Sequence, residues 1–129
     1  MIGYVTVGTN DLERARAFYD ALLAGLGAKR IMDFEGFTAW GVSWDKPGLA
    51  ATRPFDGKAA TPGNGTMVAL TVDSRAAVDR VYAKALELGG SDEGAPGLRG
   101  PEGPQAFYAG YFRDPDGNKL NVFRMGPAD

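Results

Sequence analysis

The sequence contains the same pattern of predicted elements twice. In the first copy, the segment from Tyr4 to Gly8 leads into a helical stretch that ends at Leu26-Gly27. In the second copy, the segment from Met67 to Thr71 leads into a helical stretch that ends at Leu88-Gly89. Each copy then continues to a hairpin turn that contains Asp, Pro and Gly. Because an internal repeat determines which segments are structural equivalents, it limits the possible folds more strongly than composition does.

The first copy is predicted to form a strand, a helix and three further strands. Val5 and Val7 alternate with other residues, as in a strand that lies between two environments. Asn10 is predicted to cap the helix, with Glu13 completing a capping box. The apolar positions at helical spacing form one stripe: Leu12, Ala15, Phe18, Tyr19, Leu22 and Leu26. The three strand-like runs that follow are Ala28 to Phe34, Phe37 to Trp44 and Leu49 to Arg53.

The second copy repeats this order after a linker, residues 55–65, that is rich in Gly, Ala, Thr and Pro. Asp73 or Ser74 is predicted to cap its helix. The apolar stripe of that helix is Ala77, Val78, Val81, Tyr82, Ala85 and Leu86. From Gly89 to Pro104 the chain has six glycines and three prolines, which predicts a mobile loop that contains one short strand.

The last hairpin is predicted to run from Ala106 to Phe112 and from Lys119 to Arg124, with Pro115 and Gly117 in its turn. Each helix needs a sheet to cover its stripe, and each sheet then has a second face left over. The repeat therefore predicts an α+β fold, in which tandem βαβββ modules form a concave mixed sheet around a cleft, with the helices outside. We expect one domain over residues 1–129, with modules 1–56 and 64–129 joined by a short linker.

Composition excludes several classes of function. The 129 residues suffice for one hydrophobic core, and the net charge of −2 gives no basic surface for nucleic acid or an anionic membrane. The chain has no cysteine, so it has neither disulfides nor thiolate metal sites. The segment from Met1 to Tyr4 shows no targeting pattern, and we expect a cytoplasmic protein.

Two motifs within this repeat are similar to those of a known family. One runs from Asn10 to Asp20, and the other runs from Tyr108 through Arg113-Asp114-Pro115-Asp116-Gly117 to Leu120. With them, nearly the whole chain resembles the vicinal oxygen chelate superfamily, which includes glyoxalase I, extradiol dioxygenases and bleomycin-resistance proteins. In the metal-dependent members, each module supplies two pocket-facing residues, His or Glu/Gln, to one divalent ion. The resemblance also implies a homodimer.

Aligning the repeat places the four equivalent positions at Tyr4, Thr52, Met67 and Asn121. A transition-metal site needs imidazole, carboxylate or thiolate donors, because the donors must outcompete water for the ion. A phenol, a hydroxyl, a thioether and a neutral amide do not do this together, and the chain contains no histidine. A hard cation held by carboxylates remains conceivable, but no acidic spacing supports it. We therefore predict no metal at the family position and no cofactor.

These side chains suit an organic ligand better than an ion. The predicted ligand-binding residues are Tyr4, Thr6, Trp40, Thr52, Met67, Asn121 and Phe123. Tyr4 and Met67 could instead fill a closed core, since a Met on a strand commonly serves packing. Arg53, Arg99 and Arg124 could anchor a carboxylate or phosphate, although a solvated surface charge is the commoner role for such residues.

The leading functional hypothesis is a metal-free protein that binds a small organic molecule in its cleft. One alternative is a metal-independent lyase, isomerase or related enzyme, with Tyr4 as general acid and Glu102 as base, although no acid–base constellation is visible and catalytic residues stay unknown. Another alternative is a degenerate paralogue that serves protein–protein contact through a filled cleft. We expect a small organic molecule and a second copy of the chain as partners, without nucleic acid or membrane.

Overall fold

The computed structural model describes all residues from Met1 to Asp129. The first module contains β1 (Tyr4–Gly8), α1 (Leu12–Ala24), β2 (Lys29–Phe34), β3 (Phe37–Gly41) and β4 (Gly48–Thr52). The second module contains β5 (Val68–Thr71), α2 (Arg75–Glu87), β6 (Ser91–Leu98), β7 (Phe107–Arg113) and β8 (Lys119–Met125). The predicted α+β class with two βαβββ modules is therefore confirmed.

The strands form two separate four-stranded sheets instead of one continuous sheet. Their orders are β1-β4-β3-β2 and β5-β8-β7-β6. In each sheet the first strand of the module runs parallel to its neighbour, and the other pairs are antiparallel. The sheets are thus mixed, as predicted. Because both have the same topology, equivalent positions of the repeat occupy equivalent places in the two sheets.

Each helix covers one face of its own sheet with its apolar stripe. The buried residues of α1 are Leu12, Ala15, Phe18, Tyr19, Leu22 and Leu23. Those of α2 are Ala77, Val78, Val81 and Ala85. The two helices also pack against each other, and the buried residues of both modules form one cluster of 16. One hydrophobic core therefore joins the helix-facing sides of the modules.

The first helix begins one residue later than its capping pattern suggests. Asp11, not Asn10, is the N-cap, and its side chain accepts from the backbone N–H of Arg14. The Asn10 amide instead exchanges two hydrogen bonds with the backbone of Ala60, at 2.7 and 3.1 Å. Asn10 is thus occupied in holding the linker, and the neighbouring carboxylate takes over the cap. In α2 the cap is Ser74, one of the two predicted candidates.

The structure also differs from the predicted loop over residues 89–104. Residues 91–98 form β6, which pairs antiparallel with β7 and shifts register on both sides of Gly94. Glycine and proline normally argue against a strand, but β6 lies at the edge of its sheet. At an edge, one row of N–H groups has no strand partner, so Pro96 and the bulges are tolerated there.

The turn between β7 and β8 binds the second module to the first. As predicted, Gly117 takes a positive φ, +90°, in this turn. Asp114 is buried and accepts from the Tyr19 hydroxyl of α1 at 2.6 Å, as well as from Asn118. Asn118 in turn donates to the Gly8 carbonyl oxygen of β1 at 2.8 Å. Burial raises the pKa of Asp114, and burial beside that carboxyl raises the pKa of Tyr19.

The equivalent tyrosine of the second module makes a different contact. Tyr19 and Tyr82 are each the eighth residue of their helix. The Tyr82 hydroxyl donates at 2.6 Å to Asp92 on β6, within its own module and near the surface. This bond fastens the edge strand to α2, whereas the Tyr19 bond crosses between modules.

Neither helix is long and apolar enough to cross a membrane.

Candidate functional site

Each sheet has one face that no helix covers. In the first sheet, the alternation of β1 turns Val7 toward the core and leaves Tyr4 and Thr6 exposed on the other side. Register places Thr52 of β4 and Phe37 of β3 opposite each other on this uncovered side. We call this surface the first open face, with Tyr4, Thr6, Phe34, Phe37 and Thr52 as its residues.

In the second sheet, Phe112, Leu120 and Val122 point into the core, so their strand neighbours point away from α2. Asn121 is paired directly with Ala69 on one side and with Tyr111 on the other. Phe123 is paired with Thr71 and Ala109, and its ring stacks on Phe107 with centroids 5.2 Å apart. The second open face consists of Phe107, Tyr111, Lys119, Asn121 and Phe123, with Met67 in phase just before β5.

The predicted ligand-binding residues are distributed over both open faces. Tyr4, Thr6 and Thr52 lie on the first, while Met67, Asn121 and Phe123 lie on the second. Within the chain, residues of both faces meet at one recess of about 130 Å³, with Thr6 of the first face and Lys119 of the second in its wall. Each of the four equivalent positions of the repeat is on a helix-free side of its sheet.

Trp40 is the exception among these residues. It is 1% exposed beneath α1, and its indole N–H donates to Asp20 Oδ1 at 2.8 Å. Thr38, two residues earlier on β3, also points to α1 and accepts from Arg16 at 2.8 Å. Trp40 therefore lies on the opposite side of the sheet from Tyr4. The alternation of β3 was visible in the sequence, but its phase was not.

Tyr4 and Met67 do not fill a closed core in this chain. Tyr4 is 53% exposed and Met67 is 41% exposed. The Tyr4 ring packs edge-on against Phe37, with centroids 6.0 Å apart, and Phe37 is followed by Phe34 at 6.3 Å. The first open face is therefore an exposed aromatic surface with a free phenol at one end.

Asn121 is the most unusual side chain of the second open face. It is 2% exposed, and its amide oxygen has no hydrogen-bond partner. A buried polar group without a partner costs roughly 1–3 kcal/mol of stability. Folding tolerates this cost, and the second open face therefore contains a hydrogen-bond acceptor that no group of the protein satisfies.

Two cations and a tyrosine adjoin Asn121. The Arg99 guanidinium carbon lies 5.4 Å from the centre of the Tyr111 ring, and the Lys119 ammonium lies 5.6 Å from it. The sequence did not identify Tyr111 or Lys119 as site residues. Counting back from the turn would have found both, because the hairpin register pairs Tyr111 with Asn121 and Arg113 with Lys119.

Three recesses adjoin the linker. One, of about 130 Å³, lies between β1 and the second module, with Thr6, Val68 and Lys119 in its wall. Another, of about 510 Å³, contains Thr6 and Thr52 beneath the linker, and a third, of about 600 Å³, contains Met67 and Lys119. The linker thus forms the wall of the space beside each open face.

An acid–base pair of Tyr4 and Glu102 is not formed. Arg75 binds both carboxylate oxygens of Glu102 beside α2, and this pairing lowers the pKa of Glu102. A carboxylate stabilised in this way is a weaker base. The Tyr4 hydroxyl lies on the other module, on the first open face.

The residues at the family's metal positions do not fit a metal ion. Tyr4 and Thr52 lie on one open face, Met67 and Asn121 on the other, and none provides an imidazole or carboxylate. No group of three or more Asp, Glu, His or Cys side chains converges elsewhere in the structure to form such a site.

Comparison with known proteins adds the family context. The sequence matches the family model described as Glyoxalase/Bleomycin resistance protein/Dioxygenase superfamily over residues 1–122. A glyoxalase/bleomycin resistance protein from Albidiferax ferrireducens T118 is 34% identical, with a TM-score of 0.86 over 97% of this chain and 98% of that one. The comparison with curated proteins gave no match.

Two further solved structures share the fold at lower identity. A glyoxalase/bleomycin resistance protein/dioxygenase family enzyme from Burkholderia phytofirmans PsJN is 20% identical, with a TM-score of 0.73 over 95% of this chain and 97% of that one. A glyoxalase-related enzyme from Fulvimarina pelagi is 21% identical, with a TM-score of 0.71 over 96% and 87%. At these identities the likeness concerns the fold alone.

Proposed function

Because the chain belongs to the glyoxalase/bleomycin resistance protein/dioxygenase superfamily, we propose that it binds a small organic molecule against its second open face without a divalent metal ion. The observation that carries this proposal is the buried amide of Asn121, whose oxygen has no partner. A ligand hydroxyl, amine or amide N–H would satisfy it. In the absence of such a donor the amide only costs stability.

The surroundings of Asn121 support an organic ligand. The stacked rings of Phe107 and Phe123 provide an apolar surface beside it. The directly paired neighbours of Asn121 and Phe123 include Ala69 and Ala109, which have short side chains. Aromatic surfaces with a few polar groups are typical of small-molecule sites.

The proposal includes a homodimer that completes the site. Tyr4, Thr6 and Thr52 lie on a different sheet from Asn121, and the first open face exposes Phe34 by 62% as well as Tyr4. Exposed aromatic surfaces of this kind mark interaction sites. In the proposed dimer, the first open face of one copy lies over the second open face of the other, so that Tyr4 and Thr52 form the opposite wall of the ligand site.

A thermal-shift screen tests the binding proposal. The purified protein is heated with small aromatics, α-keto acids, thiol conjugates and antibiotics, once with divalent metals and once with a chelator. A compound that binds only the folded state raises the melting temperature by mass action. We expect at least one compound to do so in chelator.

Asn121→Leu is expected to abolish that shift, whereas Gln105→Leu, which alters an exposed amide of the same module, is expected to keep it. A shift that requires a metal would contradict the metal-free proposal. A shift that persists in Asn121→Leu would show that the ligand lies elsewhere.

A further inference from the structure

Two cations on the second open face have no acidic partner. The side chain of Arg99 makes a hydrogen bond to the Ala95 carbonyl oxygen at 2.8 Å and forms no ion pair. Lys119 forms no ion pair either, and its ammonium lies over the face of an aromatic ring. By contrast, Arg113 on the same sheet is paired with Glu93 at 2.6 Å. The second open face therefore carries two cations that are not held in ion pairs.

Both cations converge on the same ring. Arg99 approaches Tyr111 from the side of β6, and Lys119 approaches it from the side of β8. A cation over the face of a tyrosine ring is slightly stabilised by electrostatic attraction, but two like charges brought to one ring repel each other. An anion bound beside either cation would reduce this repulsion.

The backbone of β6 is shaped to admit Arg99. A Cβ atom at Gly94 or at Gly97 would come within 3.2 Å of a guanidinium nitrogen of Arg99, closer than ordinary contact. At Gly94 the same atom would also meet the Tyr111 side chain. The glycines of β6 thus leave a shallow depression in which the Arg99 guanidinium lies across the strand toward Tyr111.

The cations, the amide and the aromatic stack follow one another along β8. Lys119, Asn121 and Phe123 are alternate residues of this strand, so they share the same face. Neighbouring members of this row are about 7 Å apart, from a strand rise of roughly 3.4 Å per residue. A molecule lying along the row would meet positive charge, then an amide, then a stacked aromatic pair.

We infer that the ligand of the second open face is an anion, with a carboxylate or phosphate at Arg99 and Lys119, a hydrogen-bond donor at Asn121 and an apolar group on Phe107 and Phe123. This inference rests on the proposed function and names its ligand class. The order of the three groups in the ligand follows the order of the three residues along β8.

Matched pairs of probes test the inference. Each pair consists of an acid and its uncharged counterpart on the same body: N-benzoylglycine with N-benzoylglycinamide, the homologues with one and two more methylenes, and N-benzoyl-2-aminoethyl phosphate with the corresponding alcohol. Binding is measured by NMR titration and calorimetry at low and high salt. We expect the acids to bind about tenfold more tightly than their neutral counterparts at low salt, and this preference to shrink at high salt.

Charge-removing variants assign the preference to residues. Arg99→Gln and Lys119→Gln are each expected to weaken acid binding by about threefold, so that the preference for each acid over its neutral counterpart falls. The control Arg80→Gln, which removes an exposed charge from α2, is expected to change neither. Circular dichroism melting tests whether the three variants fold alike. We expect that they do, because all three side chains lie at the surface or against one aromatic ring.

The possible results separate this inference from the proposed function. If no acid binds more tightly than its neutral counterpart, or if Arg99→Gln and Lys119→Gln leave the preference intact, the inference is overturned. If neutral compounds nevertheless bind and Asn121→Leu abolishes their binding, the proposed function stands without it. A preference for the phosphate over the carboxylate, or the reverse, supports the inference and identifies the anion.

Discussion

Tyr19 and Asp114, from different modules, form a buried hydrogen bond of 2.6 Å between the phenol and the carboxylate. The carboxylate belongs to the turn between β7 and β8, and the phenol belongs to α1. Asn118 adds two hydrogen bonds to the same carboxylate and one to the Gly8 carbonyl oxygen. The segment that resembles a family signature therefore has a structural task in this chain, which is to dock one module on the other.

Removing the phenol oxygen is expected to weaken this docking. Tyr19→Phe keeps the ring in the core but deletes one donor to a buried carboxylate, which costs about 1–3 kcal/mol of unfolding free energy. Urea denaturation measures the loss. Tyr4→Phe is the matched control, because the Tyr4 hydroxyl has no partner and its ring is half exposed. Equal stabilities of the two variants would show that the Tyr19–Asp114 bond contributes nothing net.

The pH dependence of stability reports on the Asp114 carboxyl. Its pKa in the folded protein is raised above the ordinary value of 3.8, mainly by burial, so the native state binds this proton more tightly than the unfolded state. The contribution of the group to stability therefore increases as the pH falls through the folded pKa toward 3.8. The amide introduced by Asp114→Asn cannot titrate. Its NH2 group would face the hydrogen-bond donors of Tyr19 and Asn118.

We therefore expect Asp114→Asn to be less stable than the wild type at pH 7 and the difference to widen by pH 4. Denaturation curves at both pH values measure it. A difference that narrows on acidification would mean that the hydrogen bonds to the carboxylate outweigh its burial.

The two buried asparagines of the last hairpin are expected to respond oppositely to the same substitution. Asn121→Leu replaces an unpaired buried amide with an apolar group of similar size, so the ligand-free protein should gain up to about 2 kcal/mol. Asn118→Leu removes an amide whose NH2 group makes two hydrogen bonds and should lose a similar amount or more. Thermal unfolding of both variants decides this, and destabilisation by Asn121→Leu would mean that its amide has a structural partner.

The position of the Arg99 guanidinium is expected to be sensitive to a single methyl group on β6. Gly97→Ala places a Cβ 3.2 Å from the guanidinium and should displace it from Tyr111. Stability should change by less than about 1 kcal/mol, because the displaced atoms are the end of a flexible side chain. The preference for acidic probes should fall, whereas Gly36→Ala, which meets no neighbouring atom, should leave it unchanged. An undiminished preference would separate anion binding from the Arg99 position.

The proposed dimer is expected to depend on the first open face. Phe34→Glu puts a charge on an exposed aromatic of that surface and should shift the protein toward monomer, since burying an unpaired charge is costly. Sedimentation velocity measures the change. Arg80→Glu, on the exposed side of α2, should leave the assembly intact. A wild type that sediments as a monomer at high concentration would contradict the dimer.

The sequence predicted the order of elements because periodicity and turn residues act locally. It did not predict which side of β3 carries Trp40, because alternation defines two sets of residues without saying which set meets the helix. It predicted Asn10 as the helix cap, because the competing bonds of Asn10 to Ala60 join distant segments and leave no local pattern in the sequence. Only a short strand within a loop was predicted where β6 has eight residues, because its glycines and Pro96 are acceptable only at a sheet edge. The repeat predicted Asn121 as a ligand-binding residue. Only the packed structure shows that its amide oxygen has no hydrogen-bond partner.

Tyr19 and Tyr82 show how a duplicated unit can diverge without changing the residue. Both are tyrosines at the same helical position, and both hydroxyls donate to an aspartate at 2.6 Å. One bond joins the two halves of the molecule, and the other secures an edge strand within one half. Asp114 accepts from a phenol of the other half, whereas Asp92 accepts from a phenol of its own half. The halves of this chain have become specialised parts that are no longer interchangeable.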